Sequence, residues 1–129
     1  MEREGVVKMK KTVIIGATEN KSRYAYLAAQ MLAENKVEFV PVGIKKGNVL
    51  GKEILDLKQQ PHIAAVDTIT LYINAQHQRE WYDYFLSLKP QRVIFNPGTE
   101  NPELEKILED KNIEALEACT LVMLRTGQF

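Results

Sequence analysis

Few side chains in this sequence carry acid–base or nucleophilic chemistry near neutral pH. His62, His77 and Cys119 are the candidates. His62 follows Pro61 and reads as a surface histidine, because a lone imidazole without a partner is no acid–base motif. His77 lies near the start of a helix, placed to hydrogen-bond a ligand, but reads first as a structural side chain. Cys119 sits between Ala118 and Thr120 and reads as a small buried hydrophobe. At a helix start, the dipole would instead favour its thiolate. There is no histidine pair on one helix face, no Cys/His cluster and no G-x-S-x-G turn, so the expectation is no metal site and no catalytic residue.

Anion recognition is better represented. Gly16-Ala17-Thr18-Glu19-Asn20-Lys21-Ser22-Arg23 directly follows the run Thr12-Val13-Ile14-Ile15 and opens a helix. Small residues there let a backbone approach a ligand, and a helix N-terminus presents free N–H groups with a positive dipole end. Thr18, Asn20 and Ser22 can cap or donate, and Arg23 can pair with a phosphate. The place suits a diphosphate. It has one glycine where the dinucleotide fingerprint has three, and it lacks the G-K-[ST] of a P-loop. The plainer reading is a tight turn at Gly16 and a helix capped by Ser22.

A second turn narrows the choice. NAD sites place an acid at the end of the second strand, roughly 20 residues past the glycines, to hold the ribose hydroxyls. Here that strand ends Pro41-Val42-Gly43-Ile44-Lys45-Lys46, and Glu38 lies at its other end. Two lysines suit an additional phosphate, which both NADP and coenzyme A carry. Otherwise they are solvated loop charges.

These turns need elements to position them. Thr12–Ile15 is a buried strand. Tyr24, Leu27, Ala28, Met31 and Leu32 recur at helical spacing, and Asn35 is expected to end that helix in a left-handed conformation. Val37, Phe39, Val40 and Val42 form a second strand. From Gly43 to Pro61 we expect a loop and then a short helix or turn. Thr68–Ile73 is a third strand. Trp81, Tyr84, Phe85 and Leu88 give a helix, and Arg92–Phe95 a fourth strand. Asn101-Pro102-Glu103 starts a helix with a cap, an N-terminal proline and a favourable acid. Ile113–Leu116 is a fifth strand, followed by a short helix over Cys119–Leu124. Alternation of this kind predicts an α/β, three-layer Rossmann-like fold with a five-stranded, mainly parallel sheet. In such sheets ligands bind at the carboxyl ends of the strands, where strand order reverses.

The totals agree. The 129 residues suit one domain over 11–129, with residues 1–10 as a loose tail. Seventeen basic and seventeen acidic residues leave no net charge, which argues against nucleic acid or an anionic membrane as the main partner. A single cysteine forms no internal disulfide and fits a reducing compartment. No apolar run reaches the roughly 18–20 residues of a membrane span, and the charged N-terminus lacks a signal-peptide core. The expected location is cytoplasmic.

Taken in order, V-I-I-G-A-T-E-N at 13–20, S-R-Y at 22–24, P-V at 41–42 and V-L-G at 49–51 resemble the stand-alone CoA-binding domain family. So do V-D at 66–67, N-P-G-T-E-N-P-E-L at 96–104 and E-A-C-T-L-V-M-L at 117–124. That domain also forms the CoA-binding part of succinyl-CoA synthetase α subunits and of ADP-forming acyl-CoA synthetases. The resemblance spans roughly residues 10–125. It implies that Gly16, Ala17, Thr18 and Asn20 lie along the diphosphate, with Ser22, Arg23 and Tyr24 lining the same turn. Pro41, Val42 and Lys45 would flank the adenosine and its 3′-phosphate. Ile73 and Asn74 would border the pantetheine, with Pro97 and Gly98 approaching it from the fourth strand. Many relatives carry proline at the positions of Ser22 and Tyr24, and a Phe-Arg type of sequence where this chain has Tyr72-Ile73-Asn74-Ala75. The implied function is a non-catalytic binding, carrier or regulatory module for coenzyme A or acyl-CoA. The alternative on the same fold is an NADP- or NAD-binding enzyme or redox-sensing regulator. A protein partner or homo-oligomer is compatible with either. Cys119 would then be a candidate for disulfide exchange with the CoA thiol.

Overall fold

The computed structural model describes residues 10–129, so the expected tail, Lys10 apart, lies outside the described residues. In chain order the elements are β1 (Thr12–Ile15), α1 (Tyr24–Glu34), β2 (Phe39–Gly43), β3 (Asn48–Val49), β4 (Lys52–Glu53) and β5 (Leu55–Asp56). Then come β6 (Thr68–Leu71), α2 (Ala75–Gln78), α3 (Tyr82–Ser87), β7 (Arg92–Phe95), α4 (Pro102–Asp110), β8 (Glu114–Glu117) and α5 (Thr120–Arg125). The main sheet runs β5-β2-β1-β6-β7-β8, and its pairings are parallel. It has one strand more than expected: the two-residue β5 adds to β2 at the edge.

Every residue of β1, β6 and β7 is buried, which is why these runs, Arg92 apart, are apolar or β-branched rather than alternating. The strand period of two splits the core. Val13 and Ile15 face a cluster with Leu71, Phe85, Phe95, Leu104 and Leu108, under α3 and α4. Ile14 faces the opposite cluster with Ala25, Ala29, Leu32 and Leu124, under α1 and α5. Helices therefore cover both faces, as the three-layer reading expected.

Three local expectations need correction. Asn35 is not left-handed (φ −91°). Lys36 takes that conformation at φ 60°, and the amide of Val37 donates to Leu32 O at 2.9 Å while that of Lys36 donates to Ala33 O at 3.0 Å. This is a Schellman ending, held by burial of Leu32 and Val37 in one cluster, so packing rather than side-chain preference chose the residue. The stretch after Gly43 ends in the short turn expected, a 3-10 turn over Leu57–Gln59, but where a loop was expected it holds a β3–β4 hairpin turning at Leu50 and Gly51, both at positive φ. The helix expected from near His77 through Leu88 does start there but is broken: α2, a 3-10 turn over Arg79–Trp81, then α3. Its first turn lacks an apolar stripe because its buried residue, Gln78, is there for hydrogen bonds.

Among the described residues, no helix is long and apolar enough to cross a membrane, and no group of three or more His, Cys, Asp and Glu could hold a metal ion.

Candidate functional site

The register determines where the carboxyl edge begins. Ile15 pairs with Val42 and with Leu71, Leu71 with Phe95, and Phe95 with Glu117. The next residues, Gly16, Gly43, Tyr72, Asn96 and Ala118, thus emerge side by side. Strand order reverses at β1, with β2 on one side and β6 on the other. A cavity of about 860 Å³ opens at that edge, within the range of small-molecule sites.

The first turn forms one wall. The amides of Gly16 and Ala17 both donate to Val42 O, at 2.9 and 3.0 Å. Gly16 has φ +96°, and a Cβ there would lie 3.1 Å from the Tyr72 carbonyl carbon and oxygen and 3.0 Å from Ile73 Cγ2. The end of β6 therefore requires a bare α-carbon at 16, and the residue also lines the cavity. Thr18 Oγ1 accepts from the Asn20 amide at 3.1 Å. Asn20 Oδ1 accepts from both the amide and the hydroxyl of Ser22, at 3.0 and 2.8 Å. That occupies the Asn20 carboxamide oxygen and leaves Nδ2 as a donor.

Ser22 does not cap the helix. Arg23 occupies the cap position in an extended conformation and makes no side-chain cap hydrogen bond. Among the described residues, nothing accepts from the amides of Thr18, Tyr24 or Ala25. All three residues line the cavity. An uncapped helix N-terminus therefore opens into it, with its orphan N–H groups and positive dipole end. Glu19 turns out of the cavity: its Oε1 lies 3.4 Å from the Asn48 amide, beside Gly47.

Of the residues singled out in the sequence, Gly16, Ala17, Thr18, Asn20, Arg23 and Tyr24 line the cavity from this turn. Lys45 joins from the loop after β2, Ile73 and Asn74 from the loop after β6, and Pro97 and Gly98 from the loop after β7. Ser22, Pro41 and Val42 do not line it. Ser22 is turned onto Asn20, while Pro41 and Val42 are buried within β2. Val42 contributes through its carbonyl, which anchors the turn. Lys46 lines an adjoining, smaller hollow with Glu19 and Ile54, which shares Thr18, Asn20 and Lys45 with the cavity.

Leu57, Lys58, Ile44, Tyr72, Glu80, Trp81 and Thr99 also line the cavity and were not assigned to it from sequence, and His77, expected within hydrogen-bonding reach of a ligand, lines it too. Lys58 arrives because the Asp56 carboxylate accepts from the Lys58 amide at 2.9 Å and starts a 3-10 turn. A readable signal existed for His77, Glu80 and Trp81, whose i, i+3, i+4 spacing shares a helix face.

A buried polar brace fixes the opposite wall. The Gln78 amide, fully buried, donates to Ile73 O and Thr99 O at 2.8 Å each, and its oxygen accepts from Asn101 Nδ2 at 2.9 Å. Asn101 also caps α4 by accepting from the Leu104 amide at 3.1 Å. Asn96 Nδ2 donates to Thr70 Oγ1 at 2.7 Å and Leu71 O at 2.9 Å, while its oxygen accepts from the Thr120 amide at 2.8 Å. The N-P-G segment is thus held by Asn96 from below, with Pro97 and Gly98 left exposed toward the cavity.

Tyr72 reaches under the same edge. Its hydroxyl is buried without a hydrogen-bond partner of good geometry, and burial pushes its pKa up to about 12 against a smaller opposing effect of the Thr120 and Thr70 hydroxyls. Cys119 occupies the cap position of α5 without a side-chain cap hydrogen bond, is partly buried, and does not line the cavity. His62 is exposed and outside it.

The comparisons with known proteins fit this geometry. The family model described as "CoA binding domain" matches residues 10–125. A crystal structure of an uncharacterized protein is 60% identical, superposes with a TM-score of 0.91, and covers 95% of this chain and 99% of its own. A Thermus thermophilus protein, 22% identical, gives a TM-score of 0.79 over 94% of this chain and 91% of that one. A protein from Pyrococcus horikoshii OT3, 16% identical, gives 0.64 over 84% of this chain but only 27% of its own, so there the fold is part of a longer chain. The last two show the fold alone. Among curated proteins no match is found. With nearly all its length matched by one family model, the chain belongs to the CoA-binding domain family.

Proposed function

We propose that this chain binds coenzyme A or acyl-CoA in the carboxyl-edge cavity, as a binding, carrier or regulatory module rather than a catalyst. The observation that carries the reading is the uncapped N-terminus of α1 opening into the cavity beside Arg23 and Asn20 Nδ2. Unpaired amides, a positive helix end and a guanidinium together suit a diphosphate. The end of β2 separates CoA from NAD. It offers Lys45, with Lys58 across the same cavity and no acid at the strand end, so it favours a third phosphate over free ribose hydroxyls. Lys58 joins Lys45 in that role, while Lys46 lines the adjoining hollow that Lys45 also reaches. The pantetheine arm would pass Ile73, Asn74, Pro97 and Gly98. Cys119 stands outside the cavity, so disulfide exchange with the CoA thiol forms no part of the proposal.

Thermal melting with CoA, acetyl-CoA, NADP and NAD tests the reading. A ligand at a hundredfold excess over its Kd stabilises the native state by about 2.7 kcal/mol. CoA and acetyl-CoA are expected to raise the melting temperature by several degrees, with NAD inert. A response to NAD or NADP without one to CoA would overturn the assignment.

A further inference from the structure

The cavity has a wall that phosphate recognition does not use. His77, Glu80 and Trp81 line it from α2 and the following turn, facing the crossover segment of Leu57 and Lys58. Leu57 is buried in the cluster against which Trp81 packs, and Tyr84 ties α3 to that segment by donating its hydroxyl to Pro61 O at 2.7 Å. The wall therefore stands on the β2 side of the site, beside Lys58, rather than at the α1 end.

Its chemistry does not favour a phosphate. Arg23, Lys45 and Lys58 supply the cations of the cavity, whereas Glu80 brings an exposed carboxylate that repels one. What suits a carboxylate beside an indole is a neutral, flat group bearing N–H donors. Adenine has that character: a π-face for the indole and an exocyclic amino group for a carboxylate oxygen. Pantetheine is neutral and has amide donors, but it has no flat face. Adenosine halves of dinucleotides also lie at the β2 side of such sheets.

We infer that Trp81 and Glu80 form the adenine subsite, the indole stacking on the base and the Glu80 carboxylate accepting from its amino group. The assignment rests on the CoA reading above but is separable from it. Trp81 is the chain's single tryptophan, so its fluorescence reports on this wall alone.

The wild-type protein is titrated with CoA, adenosine 3′,5′-bisphosphate, inosine 3′,5′-bisphosphate and pantetheine, with emission and melting temperature recorded together. CoA and the adenosine compound are expected to change the emission, and pantetheine to leave it unaltered. The inosine compound, with a carbonyl in place of the amino group, is expected to bind roughly tenfold more weakly, a preference that Glu80→Ala abolishes. Trp81→Leu is expected to weaken the adenosine compound roughly 5- to 100-fold. Trp81→Phe keeps a ring for core packing and stacking, and is expected to recover most of that loss. A CoA-dependent rise in melting temperature with unchanged emission, or an emission change given by pantetheine, overturns the adenine subsite and leaves CoA binding intact. No melting response to CoA removes both.

Discussion

Replacing Gly43 by alanine tests how the fold holds its ligand turn. Gly43 ends β2 and is buried. A Cβ built there would lie 2.7 Å from Ala17 O, closer than real contacts allow, and 3.4 Å from both the Ala17 amide and Ile54 Cγ2. The neighbour is backbone, so no rotamer change relieves the overlap. The turn cannot simply retreat either, because the Ala17 amide donates to Val42 O at 3.0 Å. Overpacking of this kind costs about 1–3 kcal/mol. For a chain of this size, about 2 kcal/mol lowers the melting temperature by roughly 6–12 °C. The displaced Ala17 carbonyl also disturbs the adjoining amides, so CoA affinity should fall about tenfold or more. Gly127→Ala is the control: it lies outside the cavity, its φ is +75°, and its Cβ would meet nothing within 4 Å, so only backbone strain of about 1 kcal/mol remains. Circular-dichroism melts and calorimetric CoA titrations of both variants make the comparison. If Gly43→Ala melts within about 2 °C of wild type and binds CoA normally, the close approach of β2 to the turn is not what positions the site.

Tyr72→Phe should be neutral or stabilising by up to about 1 kcal/mol, since it removes a buried hydroxyl that lacks a partner; a clear loss of melting temperature would show that the hydroxyl is satisfied. Burial pushes both Tyr72 and Tyr84 up to about 12, so the unfolded chain ionises first, and stability present below pH 10 should fall as pH rises from 10 to 12. Chemical denaturation across that range should show a smaller slope for Tyr72→Phe, and an unchanged slope would discount its contribution. Burial, then a hydrogen bond with Glu117, holds the Glu105 carboxyl above its usual range, although the Asn101 amide opposes the shift. Its stabilising contribution is therefore present in acid and lost as pH rises through the folded-state value. Glu105→Gln should gain stability relative to wild type as pH rises above the ordinary glutamate range, and a pH-independent difference would refute the carboxyl pair. Lys45 is exposed and Lys58 likewise, so each contact with a 3′-phosphate is worth about 1 kcal/mol at low salt. CoA should then bind about tenfold or more tightly than dephospho-CoA, a margin that Lys45→Ala and Lys58→Ala each reduce and that added salt erodes. Equal affinity for the two ligands would remove the lysines from the site.

The main sheet was legible because its central strands are buried on both faces, which leaves unbroken runs such as Thr12–Ile15 and Arg92–Phe95. Asn101 was legible as a cap because its side chain serves its own helix. Elements held by distant partners were less so. Two-residue strands such as β5 have no period to read, and α2 buries Gln78 for its bonds to Ile73 and Thr99. The same divide runs through the site. Residues on the first turn and at the strand ends reach the cavity because parallel register delivers them there. Lys46 misses it while Lys58 lines it, since the path of the chain between Gly43 and Leu57 depends on a hairpin packed beside Glu19. Pro41 and Val42 stand beside the site in sequence, yet their side chains serve β2.

The central claim is that the open N-terminus of α1 holds the diphosphate of coenzyme A. A backbone-amide NMR titration with CoA addresses it at the atoms concerned. The amides of Thr18, Tyr24 and Ala25, which have no acceptor among the described residues, should show the largest shifts and gain protection from exchange. Saturating CoA that leaves these three amides unmoved would contradict the account.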